Sequence, residues 1–351
     1  MNAPARPPKP PAPRATSLGG RVDLSHGAGG RAMAELIDRV FRPAFANPFD
    51  SRGEDQAILA RPAGRIALST DTFVISPLFF PGGDIGSLAV HGTVNDLAMG
   101  GATPLWLTAG FIIEEGFPIA DLARIAVSMG EAARAAGVAV VTGDTKVVER
   151  GKGDGVFINT AGCGVVPDGL EWGARHIRPG DAVIVSGSLG DHGVAVMAHR
   201  QGLDFETSIL SDSAALNGLV EAVIAASPQG VRAMRDPTRG GLSATLNEFC
   251  QTAGVGMLVD EAALPIRPEV AGACELLGLD PLNVANEGKL VAVVAPEAAA
   301  TILAALRAHP LGAHAAIVGA VTKARFVRMR TVVGGERMVA WLAGDQLPRI
   351  C

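Results

Sequence analysis

The sequence has 351 residues, 48% of them hydrophobic and 19% charged, with a net charge of −5. A chain of this length is predicted to form two domains, because single hydrophobic cores stop growing at about 250–300 residues. The negative charge, without any basic stripe, excludes nucleic acid as a main partner.

The first 18 residues are rich in Pro, Ala and Arg. They lack the apolar core of a secretory signal, so we predict that residues 1–18 form a disordered extension. We assign residues 19–168 to a first domain, 169–335 to a second domain and 336–351 to a mobile tail. No apolar window reaches the roughly 18–20 residues that cross a membrane, and no membrane span is predicted.

A glycine-rich segment opens the first domain. Gly27, Gly29 and Gly30 precede a predicted helix over 31–41. Backbone N–H groups and the helix dipole favour an anion at such a place, so this segment is a candidate phosphate cradle. The segment before it is a poor strand, which argues against a dinucleotide-binding fold, and the sequence contains no P-loop motif.

Apolar periodicity predicts the other elements of the first domain. Strands are expected over 53–59, 66–73, 105–113, 138–142 and 156–166, and helices over 86–99 and 119–136. Asp84 is the predicted N-cap of the helix over 86–99. Residues 143–146 are expected to form a loop, and residues 151–155 a hairpin turn.

The second domain is predicted to repeat this mixture of strands and helices. Strands are expected over 181–186, 231–234, 290–294, 315–321 and 324–329. Helices are expected after Gly193, around 216–224, up to Ala253 and over 297–309. Each domain is therefore an α+β layer.

Asp55, Asp71, Asp96 and Asp144 lie at the ends of apolar segments. Carboxylates gathered with little paired Lys or Arg are costly unless a cation neutralises them. Mg²⁺ is usually bound by one or two carboxylates together with substrate phosphates, and it fits this set better than zinc or calcium. The alternative is that the four are unrelated caps and turn residues.

Other polar residues have both a functional and an ordinary reading. Lys146 is either a phosphate or substrate contact or an exposed loop lysine. Arg239, at a helix start, is either an anion-binding residue or a salt-bridge partner. Glu287 is a candidate general base or a turn residue, and His91 a catalyst or a helix-surface histidine. Asn95 lies one helical turn after His91 on the same face.

The cysteines lie far apart, without any C-x-x-C pair, which supports neither a zinc site nor a disulfide framework. Reduced thiols in the cytoplasm are therefore predicted. Cys163, Cys250 and Cys274 are in apolar contexts and are most simply core residues. Cys351 follows Pro348 at the end of the sequence, where a thiol on a mobile tail can enter and leave a site built elsewhere.

Taken together, these segments resemble the HypE family of hydrogenase-maturation proteins over nearly the whole chain outside the first 18 residues. The matching stretches are 26–30, 69–71, 77–83, 92–98, 142–147, 236–242, 286–290 and 348–351. The last two are the most diagnostic.

The resemblance implies an α+β architecture of the two-domain aminoimidazole-ribonucleotide-synthetase-like (PurM-like) type, with a flexible C-terminal tail. It implies ATP bound between the domains and a homodimer formed through the N-terminal domains. It also implies that a partner, HypF, carbamoylates Cys351. The family member then uses ATP to dehydrate this group to a thiocyanate, and cyanide passes to iron on the HypC–HypD complex.

The same resemblance distributes roles among the candidate residues. Cys351 would carry the substrate covalently, and Glu287 is the first choice for the base, followed by Lys146 as an orienting group and His91. The ATP site would be formed by Gly27, Gly29, Gly30, Asn95 and Arg239, with Mg²⁺ on Asp55, Asp71, Asp96 and Asp144.

Two alternatives remain open. One is another ATP-dependent, phosphoryl-activating enzyme of the same fold, although selenophosphate synthesis would call for a reactive Cys in the 26–30 segment, which has none. The other is a non-catalytic nucleotide-binding scaffold that docks partner proteins.

Overall fold

The computed structural model describes residues 19–49, 54, 56–203, 209–341, 344 and 347–351. The predicted extension over 1–18 and Asp55 lie outside this part of the chain. None of the helices in the described ranges is long and apolar enough to cross a membrane.

In the first domain, the two longest helices, Ile85–Met99 and Ile119–Ala136, pack on one face of a mixed sheet. The strands are β1 (Arg65–Phe73), β2 (Phe79–Phe80), β3 (Gly83–Asp84), β4 (Thr103–Glu114), β5 (Ala139–Val148) and β6 (Val156–Val166). The helices are α1 (Arg31–Leu36), α2 (Arg42–Ala44), α3 (Ile85–Met99) and α4 (Ile119–Ala136). The main sheet has the order β1-β6-β4-β5, so β1 and β5 are its edges.

The predicted N-cap of α3 is confirmed. Asp84 accepts hydrogen bonds from the N–H groups of Gly86 (2.7 Å) and Ser87 (3.0 Å), which satisfies donors that have no partner within the helix. α3 is buried on almost every side, because the sheet covers one side, α4 another and the second domain a third. This helix therefore positions residues that face both domains.

Several local predictions in the first domain are wrong. Glu54 and residues 56–59 form no strand, since Ile58 is 86% exposed and has no sheet neighbour. Residues 143–146 are not a loop but the continuation of β5 along β4. Gly143 permits this close pairing, because a Cβ there would lie 2.3 Å from the carbonyl oxygen of Ala109.

Two further differences concern how elements are connected. Residues 151–155 do not close a hairpin, because β6 pairs with β1 and β4 rather than with β5. The predicted helix over 31–41 is α-helical only to Leu36 and continues as a π-helical turn, Ile37–Phe41.

The second domain is built on one long sheet, ordered β13-β12-β9-β11-β7-β10-β8. Its strands are β7 (Ala182–Val185), β8 (Val231–Arg235), β9 (Gly256–Asp260), β10 (Val291–Val294), β11 (Ala316–Thr322), β12 (Val327–Arg330) and β13 (Glu336–Met338). Its helices are α5 (Asp191–Gln201), α6 (Asn217–Ala226), α7 (Gly241–Ala253), α8 (Pro268–Leu277) and α9 (Ala299–Ala308).

The last described residues are docked on the protein. Leu347 and Ile350 are buried in the core that also holds residues of α3 and α5. The N–H of Val74 donates to the carbonyl oxygen of Cys351 at 3.2 Å, and the N–H of Ser76 donates to that of Arg349 at 3.2 Å. In this structure the end of the chain therefore lies antiparallel beside the segment that follows β1.

Candidate active site at the domain interface

An acidic cluster begins at the end of β1. Asp71 faces α3 and lies close to Gly92, where an added Cβ would be 3.1 Å from Asp71 Oδ2. Asp96, one turn further along α3, accepts a hydrogen bond from the Ser69 hydroxyl at 2.6 Å. Burial and the nearby charge of Asp96 raise the pKa of Asp71. Two carboxylates in this position favour a cation between or beside them.

The second domain adds two more carboxylates. Asp236 directly follows β8, and burial together with Asp96 raises its pKa to about 7. Glu287 is only 2% exposed, and burial and the charge of Asp236 raise its pKa well above the usual value. In the described part of the chain, Glu287 Oε1 has no hydrogen-bond partner. Such an arrangement of mutually repelling acids around the buried Glu287 is typical of a functional site rather than of a structural core.

Glu287 is held in place by its backbone. Asp212 accepts hydrogen bonds from the N–H groups of Glu287 (3.1 Å) and Gly288 (3.2 Å), and from Lys289 Nζ (2.9 Å). The close contact requires glycine at position 288, where a Cβ would lie 1.7 Å from the carbonyl oxygen of Asp212. The side chain of Glu287 is therefore presented on a rigid segment.

Asn95 connects this segment to α3. Its amide nitrogen donates to the carbonyl oxygens of Ala214 (3.0 Å) and Glu287 (3.4 Å), and its Oδ1 accepts from the N–H of Leu216 at 2.8 Å. Because all of these partners belong to the second domain, Asn95 fixes the two domains against each other. All three of these hydrogen bonds join Asn95 to main-chain groups of the protein, so in this structure they hold the domains together.

His91 is partly buried at the interface. Its Nδ1 lies 2.9 Å from the Ser213 hydroxyl, and burial lowers its pKa to about 4. The ring is therefore neutral at physiological pH. A base of such low pKa is a weak proton acceptor, so the structure favours Glu287 over His91 as the base.

Arg239 and Cys351 complete the same side of the molecule. Arg239 is exposed just before α7, and its positive charge acts on both Asp71 and Glu287. Cys351 is partly buried and is bonded through its carbonyl oxygen to Val74, three residues after Asp71. The chain end, predicted as a mobile tail that enters a site built elsewhere, is thus docked on the segment that follows Asp71.

The remaining predicted residues lie elsewhere. Asp144 and Lys146 form an exposed ion pair of 3.0 Å on β5, at the opposite edge of the sheet from β1. The register places Asp144 in the row of Thr72, whereas Asp71 is in the next row and faces the other side. The predicted gathering of Asp71, Asp96 and Asp144 within one chain is therefore wrong.

Gly27, Gly29 and Gly30 are also on the β5 side. A Cβ at Gly27 would lie 2.7 Å from the backbone nitrogen of Val147, so this glycine packs directly on β5. A cleft of about 440 Å³ between α1 and β5 is lined by Asp144 and by apolar residues that include Ile37 and Phe41. Its size is within the range of small-molecule sites.

No group of three His, Cys, Asp or Glu side chains in the described ranges is arranged to hold a metal ion. Asp55, the fourth predicted ligand, lies outside these ranges. The carboxylate oxygens of Asp71, Asp96 and Asp236 are of the type that Mg²⁺ binds, because this ion takes a few carboxylates and completes its shell with phosphate and water, but the structure does not gather the three around one point.

Sequence reasoning gave no role to Asp212, Asp236 or Lys289. Asp236 could have been found, since it begins the Asp-Pro-Thr-Arg-Gly-Gly segment from which Arg239 was selected. Asp212 had no such signal, because it is 75 residues from the Glu287 N–H that it binds.

Comparison with known proteins agrees with this architecture. Residues 53–166 match the N-terminal domain of AIR synthase related proteins, and residues 178–331 match their C-terminal domain. The carbamoyl dehydratase HypE of Rhizobium leguminosarum bv. viciae is 64% identical over 95% of each chain. A crystal structure of the hydrogenase maturation protein HypE in complex with ATP has a TM-score of 0.90 and 48% identity over 93% of this chain and 99% of that one.

A second solved structure is a HypE–HypF complex, with a TM-score of 0.78 and 48% identity over 88% of this chain and 99% of that one. The similarity extends through both domains. The chain therefore belongs to the HypE family of carbamoyl dehydratases, within the AIR synthase related proteins.

Proposed function

We propose that this chain uses ATP to dehydrate an S-carbamoyl group on Cys351 to a thiocyanate, which supplies cyanide for the iron of [NiFe]-hydrogenase. The observation that carries the proposal is the docking of the chain end on the segment after β1, where Cys351 accepts a hydrogen bond from Val74, at an interface that also holds the buried Glu287. A similar protein whose structure contains ATP supports the choice of nucleotide.

The reaction has two steps. The carbamoyl oxygen attacks the γ-phosphorus, ADP leaves, and an S–C(O-phosphate)=NH group forms with loss of one proton from nitrogen. A base then removes the second nitrogen proton as phosphate departs, which leaves S–C≡N. Such phosphoryl transfer depends on positioning and charge neutralisation more than on covalent help from the protein.

The residues at the interface suit these needs. Glu287 takes a nitrogen proton, and Arg239 offsets the negative charge of a phosphate. Asp71, Asp96 and Asp236 would hold Mg²⁺, with Asp55 as a further candidate, and a bound Mg²⁺ would neutralise charge on the phosphates. Lys146, Asp144 and the segment of Gly27, Gly29 and Gly30 lie on the β5 side of the sheet, and we propose that they contact the nucleotide from a second copy of the chain.

The test is intact-mass analysis of the full chain with HypF, carbamoyl phosphate and ATP. A gain of about 43 Da followed by a loss of about 18 Da is expected, as the formulae and the assumed phosphoryl activation require. Cys351→Ser should show neither change. If that variant gained the same mass, or if no water were lost from the wild type, the proposed reaction would be wrong.

We also propose that the chain is a homodimer formed through the exposed face of the first sheet. The helices cover the other face, whereas Ile66, Leu68 and Ile112 are 56%, 77% and 45% exposed on this one. Exposed apolar side chains on one sheet face are typical of an interface. Asp144 and Lys146 lie on the same face. In such a dimer, Asp144 and Lys146 of one copy would lie beside the first domain of the other copy.

A charge on this face is expected to separate the copies. Leu68→Glu should halve the molar mass measured by light scattering, because the carboxylate would be desolvated in the interface. The matched control is Leu276→Glu, at a 69% exposed position on α8 in the second domain, which should leave the mass unchanged. A dimeric Leu68→Glu protein would contradict the proposed interface.

The proposed partners follow from the same reaction. HypF is the carbamoyl donor, which the HypE–HypF complex of a similar protein supports, and the HypC–HypD complex is the cyanide acceptor. The proposed place of the reaction is the cytoplasm, where thiols are kept reduced.

A further inference from the structure

Besides the buried side chains of Leu347 and Ile350, hydrogen bonds to main-chain carbonyl oxygens hold the end of the chain. Arg200, in α5, donates to three main-chain carbonyl oxygens: Nε to that of Ser76 (2.8 Å), and the two terminal nitrogens to those of Pro348 (2.9 Å) and Arg349 (2.7 Å). One guanidinium therefore joins the chain end to the segment after β1. Its planar set of donors makes this possible, whereas a lysine could not span the same three acceptors.

His192, one residue into α5, holds the next carbonyl. Its Nε2 lies 2.8 Å from the carbonyl oxygen of Ile350, and its Nδ1 lies 2.8 Å from the Ser211 hydroxyl. A carbonyl oxygen can only accept, so Nε2 carries the proton and Nδ1 accepts from Ser211. The ring is buried, and burial lowers its pKa, which keeps it in this neutral form.

The same network reaches the base. Ser211 Oγ accepts from the N–H of Ser213, whose hydroxyl contacts His91. Between these two serines is Asp212, the carboxylate that holds the backbone of Glu287 and Gly288. Docking of the chain end and placement of Glu287 thus depend on one short loop.

Arg349 has an unfavourable backbone conformation in the docked chain end. Its φ is +58°, and it is the non-glycine residue with positive φ in the described ranges. Such a conformation is unfavourable for a side chain with a Cβ, so it offsets part of the stabilisation gained on docking. The ion pair with Asp154 and the N–H of Ser76 oppose that strain.

We infer that Arg200 and His192 form a tail latch that positions Cys351 at the acidic interface for dehydration and releases it for modification by other proteins. Because these contacts are to main-chain oxygens, a carbamoyl group on the Cys351 sulfur leaves the latch intact. The latch therefore positions the unmodified and the modified thiol alike. The inference rests on the proposed function for its purpose, but docking itself can be tested separately.

The first test measures alkylation of Cys351 by a bulky maleimide, followed by peptide mass mapping of the full-length protein. Arg200→Gln should raise the alkylation rate about tenfold, since three hydrogen bonds are lost or weakened, and Arg200→Lys should show an intermediate increase. Arg307→Gln is the control, because Arg307 also donates to a backbone carbonyl but is in α9, far along the chain. If the Arg200→Gln rate equals that of the control, the latch is disproved.

The second test separates the two steps of the reaction. In Arg200→Gln, carbamoylation by HypF should be as fast as in the wild type or faster, whereas single-turnover loss of water should slow about tenfold. A purely structural defect would slow both steps. If the wild type itself is not carbamoylated, the proposed function fails, but the alkylation result still decides whether the latch exists.

Discussion

Glu287→Gln is expected to leave the protein carbamoylated on Cys351 but unable to lose water. Removing a general base lowers the rate of its step by about 10²- to 10⁴-fold, so the product with the first mass gain should accumulate in intact-mass spectra. Glutamine has nearly the same shape, and the backbone contacts to Asp212 do not involve the side chain. Folding should therefore be preserved.

The same variant should be more stable than the wild type near neutral pH. Burial raises the pKa of Glu287 well above 4.5 in the folded state, so the folded protein binds the proton more tightly than the unfolded chain. The wild type consequently loses stability as pH rises above the unfolded pKa, and glutamine does not. The urea midpoints of the two proteins should converge at pH 4 and separate as pH increases.

The matched control is Glu297→Gln, at an exposed position in the turn before α9. It should leave both steps of the reaction and the urea midpoint unchanged, because surface substitutions of this kind have small effects. Normal dehydration by Glu287→Gln would show that another group is the base, and His91 or Lys146 would then be examined next.

Gly288→Ala is expected to abolish both a stable interface and dehydration. The new methyl group would lie 1.7 Å from the carbonyl oxygen of Asp212 and 2.8 Å from its carbonyl carbon, so one of the two segments must move. Overpacking against backbone costs on the order of 3 kcal/mol or more when no flexible side chain can yield. Displacing this segment also moves Glu287 from its position. Urea denaturation and the single-turnover assay should detect the two effects.

Gly272→Ala provides the comparison. Gly272 lies in α8, and an added Cβ there would meet nothing within 4 Å. Alanine is the better helix former, so this variant should be more stable than the wild type by about 0.5–1 kcal/mol. Equal stability of Gly288→Ala and the wild type would contradict the close contact between Gly288 and Asp212.

Local sequence patterns predicted most of the regular structure. The helix over 119–136 and the strand over 156–166 have the predicted bounds, because their apolar spacing matches one buried face and their ends are marked by Pro118 or Gly137 and Pro167. The predicted strand over 138–142 is shorter than β5, because the second half of β5 carries Gly143, Asp144 and Lys146, which resemble a loop by composition. Pairing with β4 overrides that composition.

The candidate site was also predicted only in part from the sequence. The resemblance selected Glu287, Asp71, Asp96, Arg239 and Cys351, and the structure brings them to one interface. It does not place Asp144 with them, because side chains alternate along a strand and the two aspartates are on opposite faces and opposite edges of the sheet. No local pattern contains that information, which depends on strand order and register.

For this protein, sequence by itself determined the types and spacing of the reactive groups: a glycine segment, scattered aspartates, a glutamate between Asn286 and Gly288, and a cysteine after Pro348. Only the tertiary structure decided which of them meet. Asp212 reaches across 75 residues to hold Glu287, and Arg200 reaches across 149 to hold Arg349. Such contacts are made by folding, because burial and hydrogen-bond satisfaction are properties of the packed chain rather than of neighbouring residues.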